Sequence, residues 1–374
     1  MDEREVLRID LGGLDALLKN LKEMGYKLIG PKVSGSAILY DEISSIDDLP
    51  RGRGDEQAPG RYRLRDRGDQ MLFGYTSALY SWRRFLHPPM REIYAARRTK
   101  RGDFELEPKE IEVEKLALIG VRACELKALK LLDKVFLQEE YLDPYYNALR
   151  KNSFIIAVNC IEPGGTCFCT TMKTGPRVDD GYDLALTEII QDGDHYFILE
   201  VGSDAGSEAV KEIPSREALE SEKELAERLV RGAETAMKKR FDLERVKEAL
   251  EKRLKDPMWD EIVKECLMCG NCTQVCPTCF CTTTEDYTDL RGEKAWRIRR
   301  WDSCVTLDFS YIVGGPVRES PSARYRHWLM HKFANWIEQF GEFGCVGCGR
   351  CITWCPVGID ITEIISKVME AESG

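Results

Sequence analysis

The stretch Cys266-Leu-Met-Cys269-Gly-Asn-Cys272-Thr-Gln-Val-Cys276-Pro277 decides how the second part of the chain folds, and it returns as Cys345-Val-Gly-Cys348-Gly-Arg-Cys351-Ile-Thr-Trp-Cys355-Pro356. Both stretches have the spacing Cys-x2-Cys-x2-Cys-x3-Cys-Pro, which is typical of bacterial proteins that bind 4Fe-4S clusters. Three closely spaced thiolates can ligate three corners of a cubane, and the proline after the fourth cysteine redirects the chain. The repeat therefore predicts two iron-sulfur clusters, and electron transfer as the class of function.

The fourth cysteine of each stretch is predicted to ligate the cluster of the other stretch, as in two-cluster proteins with this spacing. The first ferredoxin group is then Cys266, Cys269, Cys272 and Cys355, and the second ferredoxin group is Cys345, Cys348, Cys351 and Cys276. Gly270 and Gly349 follow the second cysteine of each stretch, where a side chain would crowd the cluster. Zinc is the alternative, but zinc sites favour Cys-x2-Cys pairs separated by a longer loop.

Length and composition indicate the number of domains, the cellular compartment and the role of the cysteines. The chain has 374 residues, 15 cysteines and a net charge of -10. Its length predicts two or three domains, and its first residues lack the basic and apolar segments of a signal peptide. Because no stretch of about 18 apolar residues occurs, the sequence predicts a cytoplasmic protein without a membrane partner. In a reducing compartment so many cysteines indicate metal ligands rather than disulfides.

We divide the chain near residue 250. Residues 1–250 are predicted to form an α/β domain, and residues 251–374 an α+β two-cluster (2x 4Fe-4S) ferredoxin-like domain with a long insertion at residues 277–344. The predicted strands are Lys27–Ile29, Ser36–Tyr40, Leu116–Val121, Phe154–Asn159 and Tyr196–Val201. The predicted helices are Leu14–Met24, Glu125–Phe136, Glu217–Lys239 and Leu243–Leu254. Residues 48–70, rich in Arg, Gly, Asp and Pro, are predicted to be a surface loop.

Four cysteines of the first domain follow predicted buried strands. Cys124 and Cys160 each follow one strand directly, and Cys167 and Cys169 lie on the loop that continues from the second strand. Carboxyl ends of neighbouring strands in an open α/β sheet form ligand crevices, and a helix N-terminus at Cys124 favours a thiolate. These four residues, the sheet-edge group, are therefore predicted to bind a third cluster. The alternative is four buried, unreactive cysteines.

The insertion contains three further thiols, Cys279, Cys281 and Cys304, which we call the insertion group. An insertion of this length is expected to carry helices and strands of its own, or a function. Imidazole replaces thiolate in some iron-sulfur centres, so we predict a fourth cluster with His331 as the remaining ligand. His327, Asp302 or no residue at all are the rivals for that position. Equally open is a structural role, with three core cysteines and two exposed histidines on the predicted helix Arg324–Ile337.

Basic residues concentrate in the insertion. They are Arg291, Lys294, Arg297, Arg299, Arg300, Arg318, Arg324, Arg326 and Lys332. They can stabilise anionic clusters or dock an acidic partner subunit. A solvated basic face is the plainer interpretation, and nucleic-acid binding ranks last because the acidic protein would repel phosphates.

Nucleotide motifs are missing from the sequence. Neither a Gly-x-Gly-x-x-Gly stretch after a strand nor a P-loop occurs, so no NAD(P), FAD or ATP site is recognised. The chain is expected to carry electrons without producing or consuming them.

Several segments together resemble a known family. They are Gly120-Val-Arg-Ala-Cys124-Glu, Asn159-Cys160 through Thr166-Cys-Phe-Cys169, Pro257-Met-Trp-Asp260, Cys276-Pro-Thr-Cys279-Phe-Cys281, Arg300-Trp-Asp-Ser-Cys304 and Cys345-Val-Gly-Cys348-Gly-Arg-Cys351. This combination is similar to the iron-sulfur beta subunit of cytoplasmic NAD(P)-linked nickel-iron hydrogenases, the sulfhydrogenases. The A subunit of anaerobic sulfite reductase is similar in the same places.

The resemblance implies a non-catalytic electron-transfer subunit of an oxidoreductase complex. Such a subunit would relay single electrons between a flavin/NAD(P)-binding reductase subunit and the small and large subunits of a nickel-iron hydrogenase. A sulfite reductase or a flavin-linked heterodisulfide reductase is the alternative partner. Two other classes stay open: a catalytic chain with a substrate-binding cluster, and a chain whose clusters are only structural.

Overall fold

The computed structural model describes residues 5–108 and 111–370, and its strands form one sheet of eight strands, one of four and two of two. The strands are β1 Val6–Asp10, β2 Lys27–Ser34, β3 Ala37–Glu42, β4 Arg53–Ala58, β5 Arg61–Asp66, β6 Met90–Arg98, β7 Phe104–Pro108, β8 Leu116–Val121, β9 Ser153–Val158, β10 Leu184–Gln191, β11 Asp194–Val201, β12 Arg216–Glu217, β13 Thr282–Thr288, β14 Lys294–Trp301, β15 Tyr311–Ile312 and β16 Gly315–Pro316.

The α-helices connect or cover these strands. They are α1 Leu11–Glu23, α2 Arg83–Leu86, α3 Ala123–Phe136, α4 Pro144–Lys151, α5 Asp204–Val210, α6 Glu220–Ala236, α7 Val246–Lys252, α8 Met258–Ile262, α9 Asn271–Gln274, α10 Pro321–Met330, α11 Trp336–Phe340, α12 Arg350–Thr353 and α13 Ile361–Glu370. A π-helical turn, His331–Asn335, joins α10 to α11.

The eight-stranded sheet positions the first-domain cysteines. Its order is β12-β1-β11-β10-β9-β8-β2-β3, and β10, β9, β8 and β2 are parallel. Every residue of β8 and all but the first of β9 are buried, because helices or loops cover both faces of these central strands. The predicted strands at Leu116–Val121 and Phe154–Asn159 are thus confirmed as parallel neighbours.

Apolar side chains of helices α1 and α3 complete the core around this sheet. Leu14, Leu17, Leu18 and Leu21 of α1 are buried, as the spacing of an amphipathic helix requires. Asp10 caps this helix by accepting a hydrogen bond from the Gly13 nitrogen at 2.8 Å. Burying each such leucine stabilises the fold by about 1.5–3 kcal/mol.

A second core surrounds the ferredoxin stretches. Trp259 of α8, Trp328 and Leu329 of α10 and Phe333 of the π-helical turn are buried together there. Each ferredoxin stretch contains one short helix, α9 or α12, which starts after a glycine with a positive φ. These glycines, Gly270 and Gly349, let the chain turn sharply between the second and third cysteines.

The four-stranded sheet joins the two parts of the chain. Strands β6 and β7 come from residues 90–108, while β13 and β14 come from the insertion, and the order is β13-β14-β6-β7. Strand β14 pairs with β6 in an antiparallel register. The insertion therefore carries its own strands and helices, as predicted, and uses two of those strands to hold the first part.

The predicted surface loop at residues 48–70 is wrong. This stretch contains strands β4 and β5, which pair as an antiparallel hairpin. In β5, Tyr62 and Leu64 are half-buried while the arginines that alternate with them are exposed, which is a strand pattern hidden by polar composition. The hairpin turn at Gly60 donates a hydrogen bond from its nitrogen to the Ile352 carbonyl at 3.0 Å, so it rests on the second ferredoxin stretch.

The other predicted helices and strands are present in the structure, but most begin or end at different residues. The two helices predicted at Glu217–Lys239 and Leu243–Leu254 are the shorter α6 and α7, and the one at Arg324–Ile337 lies within α10, the π-helical turn and α11. Strands β1 and β10 were not predicted, although they complete the centre and one side of the main sheet.

Candidate iron-sulfur sites

The first ferredoxin group lines one cavity. Cys266, Cys269, Cys272 and Cys355 all contribute to its wall, so the last cysteine of the second stretch lies with the first three of the other. Cys351 of the second ferredoxin group also lines this cavity, so the two groups adjoin there. Burial, opposed by a backbone hydrogen bond and reinforced by Cys355 and Cys269, raises the pKa of Cys266. Cys269 is exposed, so this group reaches the protein surface.

The second ferredoxin group is more deeply placed. Burial, reinforced by Cys276 and Cys348, raises the pKa of Cys345 to about 12. The pKa of Cys351 is raised by burial and then by Cys345, Cys348 and Cys276. Cys276, the last cysteine of the first stretch, is therefore an electrostatic neighbour of all three other members. The geometry brings together both sets of residues that the crossed assignment requires.

The structure also brings the sheet-edge group together. Cys124 lies in the first turn of α3, directly after β8, and Cys160 follows β9. Burial raises the pKa of Cys124 well above its usual value, with Cys169, Cys348 and Cys160 among the neighbours that add to the shift. Burial likewise raises the pKa of Cys167 to about 12, again with Cys160 as a neighbour. Desolvation thus outweighs the thiolate-favouring dipole expected at the start of α3.

The loop that carries Cys167 and Cys169 packs on the second ferredoxin stretch. The Phe168 nitrogen donates a hydrogen bond to the Gly347 carbonyl at 2.9 Å, and the Thr174 hydroxyl donates one to the Val346 carbonyl at 2.6 Å. Cys348 lies near enough to raise the pKa of both Cys124 and Cys169. The sheet-edge group and the second ferredoxin group are therefore neighbours.

The insertion group forms two thiol pairs with its surroundings. Cys276 and Cys279 share a hydrogen bond that lowers the pKa of Cys276 and raises that of Cys279. Cys281 and Cys304 share another, which lowers the pKa of Cys281 to about 7 and raises that of Cys304. Since Cys276 also belongs to the second ferredoxin group, the insertion group lies directly beside that group.

His331 lies near the insertion group because its ring contacts the ring of Phe280. Its ring centroid is 6.0 Å from that of Phe280, which stands between Cys279 and Cys281 in sequence, and 5.9 Å from that of His327. Both histidines are half-buried rather than exposed. Burial, followed by Lys332 and His327, lowers the pKa of His331 to about 3, so its imidazole is neutral, as a metal ligand must be.

Four buried cations that the sequence analysis did not single out as site residues lie among these cysteines. Each is an electrostatic neighbour of at least one cysteine, and they are Arg83, Arg122, Lys332 and Arg350. Arg122 and Arg350 stand inside the Gly-Val-Arg-Ala-Cys and Cys-Gly-Arg-Cys segments, so their positions beside cysteines were visible in the sequence. Arg83 lies far from any cysteine motif along the chain and carried no such signal, whereas Lys332 was already named among the basic residues of the insertion that could stabilise clusters.

Five of the nine basic residues of the insertion fall into two sets, one ion-paired and one buried. Arg297, Arg299 and Arg300 form ion pairs with Asp286, Asp143 and Glu285. Arg324 and Lys332 are buried, at 7% and 3% exposure, so a solvated basic face does not describe them. Arg324 donates to the Val305 carbonyl at 2.9 Å and lowers the pKa of Cys266.

The donor set fits iron-sulfur clusters. All fifteen cysteines are free thiols, and burial is the largest cause raising the pKa of most members of the first three groups. Buried thiolates need positive charge nearby, and iron supplies it while releasing the thiol protons. Across residues 5–108 and 111–370, no three His, Cys, Asp or Glu side chains converge closely enough to hold a single metal ion.

Comparison with known proteins agrees with this chemistry. Residues 265–359 match the family model of the 4Fe-4S dicluster domain. Over 354 residues, the chain is 32% identical to sulfhydrogenase 2 subunit beta of Pyrococcus furiosus, with 94% of each chain covered. The chain belongs to the sulfhydrogenase beta-subunit family. No solved structure matches it significantly.

Family membership confirms the resemblance found in the sequence. This sulfhydrogenase beta-subunit homologue is an iron-sulfur protein of the oxidoreductase class, with a dicluster domain in its C-terminal part. Among the helices that the structure describes, none combines the length and apolar character needed to cross a membrane.

Proposed function

We propose that the chain is the electron-relay subunit of a cytoplasmic hydrogenase complex. It would pass single electrons between a flavin/NAD(P)-binding subunit and the small and large subunits of a nickel-iron hydrogenase, without binding substrate itself. Its own cysteines would hold the 4Fe-4S clusters: the two ferredoxin groups, the sheet-edge group, and the insertion group completed by His331. The clusters supply reversible one-electron chemistry, and the protein sets their potentials and spacing.

The continuity of the cysteine groups carries this proposal. The second ferredoxin group neighbours each of the others: Cys276 shares a hydrogen bond with Cys279, and Cys348 and Cys351 interact electrostatically with the sheet-edge group and with Cys272. In a chain whose clusters are only structural, the cysteine groups need not all lie next to one shared group. A relay needs this arrangement, because electrons must move from one cluster to the next.

The protein surface also suits a relay. Cys269 of the first ferredoxin group is exposed, beside Leu267, whose side chain is 65% exposed. The sheet-edge group, in the first part of the chain, also neighbours the second ferredoxin group through Cys348. We infer that the two ends of this arrangement face different partner subunits.

Anaerobic purification of the native complex tests the proposal. We expect a flavin-containing subunit and nickel-iron hydrogenase subunits to co-purify with this chain, and the added nicotinamide cofactor to reduce its clusters. The control is the complex with the flavin removed, in which the nicotinamide cofactor should no longer reduce the clusters. Turnover of a substrate by the isolated chain would instead favour a catalytic role, and clusters that resist every low-potential donor would favour a structural one.

A further inference from the structure

Lys332 is a buried ammonium held between two cysteine groups. Its side chain belongs to the π-helical turn, a rare local structure that frequently marks functional sites. The residue is only 3% exposed, and its Nζ atom donates a hydrogen bond to the Thr278 hydroxyl at 2.6 Å. Thr278 in turn lies 3.2 Å from the Cys276 sulfur and donates to the Gly344 carbonyl at 2.7 Å.

The anionic partners of Lys332 are sulfurs. It acts on Cys276 and Cys345 of the second ferredoxin group, and on Cys279, Cys281 and Cys304 of the insertion group. No Asp or Glu of the described residues forms an ion pair with it. A buried cation without a carboxylate partner is costly, so its place is explained only if the sulfurs around it carry negative charge.

Arg83 is a second buried cation beside the insertion group. Its guanidinium donates to the carbonyls of Cys279 and Gln274 and lies 3.5 Å from the centroid of the Trp301 ring. The Arg83 guanidinium is therefore held in place by two backbone carbonyls and the face of an aromatic ring. Lys332 differs, because its ammonium donates to the Thr278 hydroxyl, which itself contacts Cys276, and also forms a hydrogen bond with Cys279.

We propose that Lys332 is the shared countercharge of the second ferredoxin group and the insertion group, and that it raises the reduction potential of the clusters they bind. This inference rests on the proposed function. A donor outside the chain gives one electron to a cluster, whose negative charge grows by one, and no proton is taken up. The nearby ammonium stabilises the reduced form more than the oxidised form. Lys332 therefore tunes the reduction potential of the clusters and is not a catalytic residue.

Three variants of the full chain test this inference by anaerobic potentiometric titration followed by electron paramagnetic resonance. Lys332→Met removes the charge and keeps most of the volume, while Lys332→Arg keeps the charge. Lys27→Met removes one surface charge that pairs with Glu42 and Glu114, away from the cysteines. The signal of the second ferredoxin group is identified as the one lost in Cys351→Ser. We expect Lys332→Met to lower its potential, with little change in the other two variants.

Each possible result of these measurements either supports or overturns the inference about Lys332. Loss of iron in Lys332→Met but not in Lys332→Arg supports the inference, because the positive charge is then required for assembly. Loss of iron in both variants overturns it, since shape rather than charge would be responsible. An unchanged potential in a fully loaded Lys332→Met protein, or an equal shift in Lys27→Met, also overturns it. If the wild-type clusters cannot be reduced reversibly, the proposed function fails; if they can and Lys332→Met is silent, only this inference fails.

Discussion

Cys355 lies with the first ferredoxin stretch although it ends the second. Replacing Cys355 with Ser should damage the cluster held by Cys266, Cys269 and Cys272, because these four residues line one cavity. Cys276→Ser is the matched variant and should damage the other cluster. Iron analysis and low-temperature electron paramagnetic resonance of both variants measure which signal is lost. Loss confined to the Cys345 cluster in Cys355→Ser would refute the crossed assignment.

Arg350 is a buried cation whose partner is also buried. Its guanidinium forms an ion pair with the Glu125 carboxylate at 2.8 Å, both residues are at most 1% exposed, and the Tyr40 hydroxyl donates to the same carboxylate at 2.8 Å. Arg350→Met should lower the free energy of unfolding by about 3–5 kcal/mol, because it leaves Glu125 buried without its cation. Anaerobic urea denaturation measures this change.

Two controls separate the buried pair from a general charge effect. Adding Glu125→Gln to Arg350→Met should recover part of the loss, because no unpaired charge then remains buried. Arg297→Met breaks an exposed pair with Asp286 and should leave stability unchanged within error. An Arg350→Met protein as stable as the wild type would show that the pair does not hold the two parts of the chain together.

At the scale of elements, the contact between two loops joins the sheet-edge group to the second ferredoxin group. A methyl group at Gly347, whose φ is +65°, would lie 2.6 Å from the backbone nitrogen of Cys169. Gly347→Ala should therefore separate the loops and reduce iron in both groups. Gly341→Ala is the matched control, because Gly341 has a φ of +73° and nothing within 4 Å of the added methyl.

Both substitutions carry a similar backbone cost, about 1–2 kcal/mol, so a difference between them measures the collision. Iron content and thermal unfolding, recorded anaerobically, give that difference. Equal behaviour of the two variants would mean that the loops are not held by this contact.

Element patterns also explain what the sequence could and could not predict. The cysteine spacing gave the two ferredoxin groups their members, and two apolar runs followed by cysteines predicted the parallel strands β8 and β9 with Cys124 and Cys160 at one edge. The hairpin of β4 and β5 was missed, because its exposed arginines dominate the composition. Lys332 was named among the basic residues that could stabilise clusters, but its burial was not predicted, because the π-helical turn changes the angular spacing of side chains along the helix.

At the scale of the whole molecule, the cysteine groups lie between the two cores and are lined by both. Phe168, which stands between Cys167 and Cys169, belongs to the second core, while Ala123, next to Cys124, belongs to the first. Chelating the iron should remove the metal charge beside many buried thiols and weaken their interactions with the four buried cations. We expect a lower melting temperature and looser packing of both parts, measured by circular dichroism and proteolysis. Identical melting with and without iron would show that the clusters do not support the fold.

The relay itself is tested most directly by an anaerobic redox titration of the wild-type chain with electron paramagnetic resonance at each potential. Neighbouring reduced clusters are expected to interact magnetically, so the account predicts several signals that appear reversibly and broaden one another as reduction proceeds. In Cys276→Ser, which removes a residue shared by the second ferredoxin group and the neighbourhood of Cys279, this broadening should weaken. Signals that never interact, or iron that cannot be reduced and reoxidised, would contradict the claim that this chain is a continuous path for electrons.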